Sequence, residues 1–266
     1  MERVSVAESL DTVLSERERE VSARVLAEEE RRREHVVVYL SGAHAYGFPS
    51  PDSDLDLKAI HVARTIELVG FDVPSPTVDR AEIIDGVEID YTSNELAHAL
   101  SGILSGNGNF IERVLGRLTV MPSPLLEELR PLVRRSLSRR VYRHYRGFAR
   151  NQLRFLEKEP TAKKLLYVLR TTTTGIHLLA TGELETDLTR LMNAYGIADA
   201  EALVTRKRLG ERVNLEPKTL DSWLPRIESL FGQLDASYSS SALPESPTNE
   251  TEIREWLVAV RRRRFE

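Results

Sequence analysis

The sequence predicts an α+β chain, with its strands in the first half and helices alone in the second. Three observations carry this reading. The run His35-Val36-Val37-Val38-Tyr39-Leu40 is short, apolar and β-branched, as a buried strand should be. Two further apolar stretches are joined by Asp85-Gly86, a pair suited to a two-residue hairpin turn because both central positions need positive φ. Beyond Pro131 no strand-like run remains, and apolar residues recur at helical spacing. A boundary near residue 130 therefore separates a domain of residues 1–130, an N-terminal helix plus sheet, from a helical domain of residues 131–266 with a basic first helix.

In order along the chain, residues 8–34 read as one charged helix with Val21, Val25 and Leu26 at helical spacing. The strand at 35–40 ends at Ser41-Gly42, and a turn of helix through Ala43-His44-Ala45-Tyr46 stops at Gly47. Phe48-Pro49-Ser50-Pro51-Asp52-Ser53 is a rigid loop, and Leu55–Val62 is a second strand. The hairpin spans 80–84 and 87–91, and Thr92 or Ser93 caps a helix reaching about Leu104. A short helix at 110–115 follows the loop 105–109. Helices are expected at about 132–158, 161–181, 186–194, 199–209, 217–234 and 250–264, with residues 236–249 as a Ser- and Pro-bearing linker.

Composition excludes several classes. The 266 residues include no cysteine, which rules out disulfides, thiolate metal sites and cysteine nucleophiles. No window approaches the ~18 apolar residues of a membrane span, and the first residues carry no apolar signal core. The expectation is a cytoplasmic protein with no membrane partner. The net charge of −4 is unevenly spread: residues 131–170 hold twelve Lys/Arg and two acids, a segment of +10 in a remainder of −14. Such a stretch suits an anionic partner such as a nucleic-acid backbone, and equally a solvated helix face.

The segment Ser41–Leu57 carries the chemistry. Asp54 and Asp56 stand two apart at the start of a strand, so both carboxylates point to one face. Adjacent carboxylates repel unless a cation or water separates them, and oxygen ligands on a rigid strand suit Mg²⁺. Asp90, on the hairpin, supplies a third carboxylate, with Glu88 on the same face as the weaker candidate. Three carboxylates on neighbouring strands can hold two metal ions ~4 Å apart, one activating a hydroxyl and one neutralising a triphosphate. Gly42, ending the first strand, lets backbone N–H groups approach phosphate oxygens. A helix starting at 43–44 would add its amides. No Gly-Lys-Ser/Thr is present, so this is not a P-loop.

Gly42 through Asp56, with Asp90 beyond, resembles the DNA polymerase beta nucleotidyltransferase superfamily. Its pattern is a Gly-Ser pair, a spacer, Asp-x-Asp and a later lone Asp. Tyr46-Gly47 and Ser53-Asp54-Leu55-Asp56 look closest to the bacterial predicted nucleotidyltransferases that include RNA-ligase-associated members. His144–Ala149, Lys163–Arg170 and Thr174–Leu179 are similar to that family's helical region. The resemblance covers roughly residues 36–182. It implies a small mixed sheet with flanking helices followed by an all-helical domain. It also implies transfer of a nucleoside monophosphate from an NTP to a hydroxyl, with release of pyrophosphate. By the same resemblance Asp54, Asp56 and Asp90 ligate Mg²⁺ or Mn²⁺, as two ions, and Asp90 is a candidate base. Gly42, Ala43, His44, Tyr46, Ser53, His144 and Lys164 are then the candidate nucleotide contacts, Lys164 reaching the β/γ-phosphates. The implied role is RNA repair, in functional association with an RNA ligase.

One departure matters: the family's Gly-Ser pair is Gly42-Ala43 here. The missing hydroxyl removes a phosphate hydrogen bond worth ~1–3 kcal/mol, for which His44 is the candidate substitute. Arg139, Arg143, Arg146 and Arg150, continued by Arg154, recur at three- and four-residue steps and are the candidate RNA contacts. Two alternatives stand beside an RNA end as acceptor: nucleotidylation of a protein or small molecule, and a non-catalytic nucleotide- or RNA-binding, antitoxin-like module with a degraded Gly-Ser motif.

Overall fold

The computed structural model describes residues 6–210 and 213–265. Helices α1 (Val6–Val13) and α2 (Glu16–Glu30) lead into strand β1 (Glu34–Leu40), a single turn α3 (Gly42–Ala45) and strand β2 (Leu55–Val62). Next come the turn α4 (Thr65–Leu68), the hairpin β3 (Thr77–Ile84) and β4 (Val87–Glu95), and helices α5 (Leu96–Leu104) and α6 (Gly108–Leu115). Strand β5 (Thr119–Met121) and helix α7 (Pro124–Ser136) follow. The remainder is helical: α8 (Val141–Lys158), α9 (Ala162–Thr181), α10 (Leu188–Leu191), α11 (Glu201–Lys207), α12 (Pro217–Ser240) and α13 (Glu250–Arg262).

These elements form two compact units, and neither is one contiguous stretch. The first takes the chain up to Gly42, Asp54–Ser136 and everything from Pro247, whereas the second takes Ala43–Ser53 and Leu137–Ser246. The single cut near residue 130 read from the sequence thus becomes several crossings.

In the first unit the sheet order is β3-β4-β2-β1-β5. It is mixed: β2 and β4 run parallel, and the other pairs are antiparallel. The hairpin turn is where Asp-Gly placed it, with φ of 50° at Asp85 and 77° at Gly86. Parallel pairing with β2 carries β4 on to Glu95, so Thr92 and Ser93 lie in the strand rather than capping a helix. Glu95 itself caps α5, its carboxylate accepting from Ala97 N at 2.7 Å. The expected helix over 8–34 is two helices, split where Ser15 and Glu18 close a capping box. Val36–Leu40, Leu55, Leu57, Ile89 and Tyr91 are buried, each large apolar side chain contributing ~1.5–3 kcal/mol relative to exposure.

In the second unit α8, α9 and α12 pack together, and α9 is buried along most of its length. The expected helix from 132 to 158 is interrupted at 137–140, and its first part belongs to α7, which runs through Pro131. Pro131 and Glu127, whose carbonyl loses its helical donor there, are both exposed residues. The expected linker is partly helical, since α12 extends to Ser240, and Ser241 Oγ then donates to Leu179 O at 2.6 Å. The second unit also holds the loop that interrupts the sheet sequence. Leu188 N donates to Tyr46 O at 3.0 Å and Thr186 Oγ1 to Ala45 O at 3.2 Å. Among the described residues no helix is long and apolar enough to cross a membrane.

Candidate active site

β2 alternates Leu55, Asp56, Leu57, Lys58, and β4 alternates Ile89, Asp90, Tyr91, Thr92, so the leucines, Ile89 and Tyr91 bury one face and the polar residues share the other. The parallel register pairs Asp56 directly with Asp90. Neighbouring strands lie about 4.8 Å apart, which brings the two carboxylates onto the same patch. Asp54 sits just before β2 and makes no hydrogen bond or ion pair among the described residues. Glu88 lies on the polar face, exposed, one pleat nearer the hairpin turn.

A lysine joins this face. Lys58 Nζ is 2.8 Å from Asp90 Oδ2 and 3.5 Å from Asp56 Oδ1, and it also donates to Asp90 O at 3.3 Å. The sequence reading passed over Lys58. Its signal was its place two residues after Asp56, on the same face of the strand. Burial pushes the Asp56 carboxyl above its ordinary pKa range; Lys58 pulls it back, and Asp90 and Asp54 push it further up.

Gly42 meets the acids at close range. Its φ is 64°, and a Cβ there would run into the Asp56 carboxylate. Ser41 N donates to Asp56 O at 2.8 Å, which anchors the end of β1 beside the start of β2. A side chain at position 42 is therefore excluded both by conformation and by space.

The donor set fits a hard divalent cation. All ligands are carboxylate oxygens, two of them in register, and the repulsion they build is met only partly by the Lys58 ammonium, which stands in for a cation. Among the described residues no three acidic or imidazole side chains converge closely enough to hold a metal ion unaided. Water or substrate oxygens would have to complete the coordination, as is usual for Mg²⁺.

The other candidate residues lie in the second unit. Ala43 and His44 are buried. The Tyr46 ring lies under the Arg170 guanidinium, 3.5 Å from ring centroid to Cζ, and meets Tyr167 edge-on. Ser53 is buried in a network the sequence did not disclose: the fully buried Lys207 donates to Ser53 Oγ at 2.7 Å and to Ser50 Oγ at 2.6 Å. This clamp fixes the loop immediately ahead of Asp54. His144 stacks on Phe148, and burial, with Arg170 nearby, lowers its pKa to about 4, so the ring is neutral. Lys164 is ion-paired with Glu159.

The arginine stripe divides. Arg139 pairs with Glu245 at 3.3 Å, and Arg146 with Asp235 at 2.9 Å while covering the Phe231 ring. Arg143, Arg150 and Arg154 are exposed and make no ion pair among the described residues. On α8, Arg143, Arg150 and Arg154 therefore keep their charge for solvent or a ligand, whereas Arg146 is taken up by Asp235 of α12; Arg139, just ahead of α8, is taken up by Glu245 beyond α12.

Comparison with known proteins finds relatives of the whole chain. The family described as RlaP, RNA repair pathway DNA polymerase beta family, matches residues 19–259. A protein of Methanocaldococcus jannaschii, described as uncharacterized, is 29% identical over 228 residues, covering 82% of this chain and 90% of its own. A solved nucleotidyltransferase-like protein from Exiguobacterium sibiricum aligns over 92% of this chain and 80% of its own, at 13% identity and a TM-score of 0.33.

Proposed function

Because the chain belongs to the RNA repair pathway DNA polymerase beta family, we propose that it transfers a nucleoside monophosphate from an NTP to a hydroxyl at an RNA end. The observation that carries this reading is the register pairing of Asp56 with Asp90, with Asp54 two residues away and Gly42 packed against Asp56. Asp54, Asp56 and Asp90 would hold Mg²⁺ or Mn²⁺, as two ions. Such ions neutralise triphosphate charge and acidify an attacking hydroxyl.

The chain's own groups do the rest. Gly42 leaves its backbone open beside the acids, where phosphate oxygens can take amide hydrogen bonds. The acceptor oxygen bonds to the α-phosphorus as the bond to pyrophosphate breaks, and the acceptor's proton passes to Asp90, more exposed than Asp56. Lys58 holds Asp56 and Asp90 together before substrate arrives and is a cation available to the leaving pyrophosphate. Lys207, through Ser50 and Ser53, fixes the loop that delivers Asp54. Ala43, His44, Tyr46, His144 and Lys164 remain the proposed nucleotide contacts. The exposed Arg143, Arg150 and Arg154 support RNA as the acceptor, and an RNA ligase is the kind of partner that would use the product.

Ala43 and the Lys58 bridge favour a second reading, a nucleotide-binding module without turnover. Incubation of the full chain with each α-labelled NTP, Mg²⁺ or Mn²⁺, and either RNA or protein fractions decides between them. Label on RNA that disappears with Asp56→Asn supports the proposal. Label on protein moves the acceptor, and NTP binding without label on any fraction supports the module.

A further inference from the structure

We propose that the first unit carries a second nucleotide-binding site at the end of the sheet away from the acids. A cavity of about 500 Å³ opens there, between the end of α2, the end of β2 and the segment after α13. Asp56 and Val62 are six residues apart on β2, so the cavity lies about 20 Å from the carboxylates. A nucleotide held in it does not reach them.

Arginines from three distant parts of the chain converge on this cavity: Arg31, Arg32 and Arg33 from the end of α2, Arg64 after β2, and Arg264 after α13. Only three glutamates line it. The local pairing leaves positive charge over. Glu29 alone accepts from Arg32 at 2.9 Å, from Arg33, and from Arg80 at 3.2 Å. Glu34 is used up by Arg264, at 2.5 and 2.7 Å. Arg64 is held only loosely, by an exposed ion pair with Glu67 at 4.0 Å, and Arg31 makes no ion pair among the described residues, Glu28 lying nearby. Arg31, and Arg64 through an exposed and easily exchanged pair, line the cavity with guanidinium forks, which match phosphate oxygens.

The rest of the lining is apolar or neutral. Val62, Ala63, Pro74 and Val78 form an apolar wall. His61 is neutral at ordinary pH, with burial lowering its pKa to about 4 and its Nδ1 engaged by Ser93 Oγ at 2.8 Å. A bare phosphate uses the arginines and leaves that wall wet. A nucleoside phosphate uses both, and the volume lies within the range of small-ligand sites. Such a ligand has two sources, a free nucleotide or the terminal nucleotide of an RNA strand.

The test is fluorescence anisotropy of a methylanthraniloyl-ATP probe on the full chain, in EDTA, with Arg31→Ala/Arg64→Ala and Asp56→Asn/Asp90→Asn beside the unaltered protein. Both arginines are exposed, so thermal melts should match and report intact folding. The proposal expects the arginine variant to lose affinity about a hundredfold, roughly tenfold per charge-assisted contact, and the acid variant to bind normally. Displacement by unlabelled ATP alone identifies a free nucleotide as the occupant, and displacement also by a short 5′-phosphorylated RNA identifies a strand end. Either supports the site. Absence of probe binding, unchanged affinity in the arginine variant, or loss only in the acid variant overturns it. Failure of nucleotidyl transfer bears on Asp56 and Asp90 and leaves this result untouched.

Discussion

The two ends of the β2–β4 pair use polar residues in opposite ways. Where the strands begin, Asp56 and Asp90 face each other, Asp54 adds a third charge, and one lysine answers them. Where the strands end, most of the buried polar groups between the strands find partners, the Nδ1 of His35 being an exception. His61 bonds Ser93, His35 bonds the Tyr91 hydroxyl at 2.7 Å, Arg113 bonds Asn94 and the Ala59 carbonyl, and Arg261 pairs with Glu95 at 2.5 Å. A buried polar group that is satisfied holds the fold, and one left in deficit waits for a ligand. Substitution at the first end should therefore cost activity, and substitution of the buried partners at the second, stability.

The largest effect should come from the acid end. Asp56→Asn or Asp90→Asn is expected to lower metal-dependent label transfer by about a thousandfold, the equivalent of the several kcal/mol that metal ions supply. The melting temperature should hold or rise, because repulsion is relieved. Turnover at the normal rate in either variant would remove the acids from the mechanism.

The matched end should behave in the reverse manner. Arg113→Ala strands the Ala59 carbonyl and Asn94 and uncovers the Phe110 ring, at a cost of about 3 kcal/mol or more in urea unfolding. Transfer per folded molecule should be unchanged. Lost activity with undiminished stability would break the comparison.

Acid should find the same end next. His35 and His61 are cross-strand partners on β1 and β2, and burial lowers the pKa of each to about 4 from 6.5. The folded protein keeps them neutral while the unfolded chain protonates them, so the unfolded state binds more protons below pH 6.5. Their contribution is complete above pH 6.5 and drains away as pH falls toward 4, by a few kcal/mol in all. Melting curves across that window should show the decline, and His35→Gln/His61→Asn should flatten it. A decline of the same size in the double variant would assign the acid sensitivity elsewhere.

How much of this was legible depends on the range of the interaction. The strand at 35–40, the Asp85-Gly86 turn and the spacing of Asp54 and Asp56 are local signals, and each appears where the residues put it. Asp90 was legible because alternation fixed its face, and pairing with β2 was the one long-range step needed. Lys58 was visible in the same alternation but has no meaning until Asp90 lies beside it. Lys207 had no local signal, since only the fold brings it to Ser50 and Ser53. Pro131 misled, because α7 runs through it at an exposed position, where the one lost hydrogen bond costs less than in a buried helix. The three-residue β5 is too short to show a period, and it exists through its pairing with β1.

The arginines of α8, with Arg139 just ahead of it, repeat the comparison and give the smallest effect. Sequence spacing treated Arg139, Arg143, Arg146 and Arg150 alike, but Arg139 and Arg146 are engaged by Glu245 and Asp235, and Arg143 and Arg150 are not. If the uncommitted charges contact RNA phosphates, Arg150→Gln should lower the slope of log affinity against log salt by roughly 0.7, the single-strand value for one lost contact. Stability should stay within about 0.5 kcal/mol, as for an exposed surface change. Arg146→Gln should do the opposite, leaving the slope alone and weakening the fold through the lost Asp235 pair and the uncovered Phe231 ring. Filter binding of single-stranded RNA over a salt series, with urea unfolding of both variants, reads the two effects separately. Equal slopes for Arg150→Gln and the unaltered protein would take this face of α8 out of the RNA contact. A reduced slope for Arg146→Gln would mean that its ion pair opens when RNA binds.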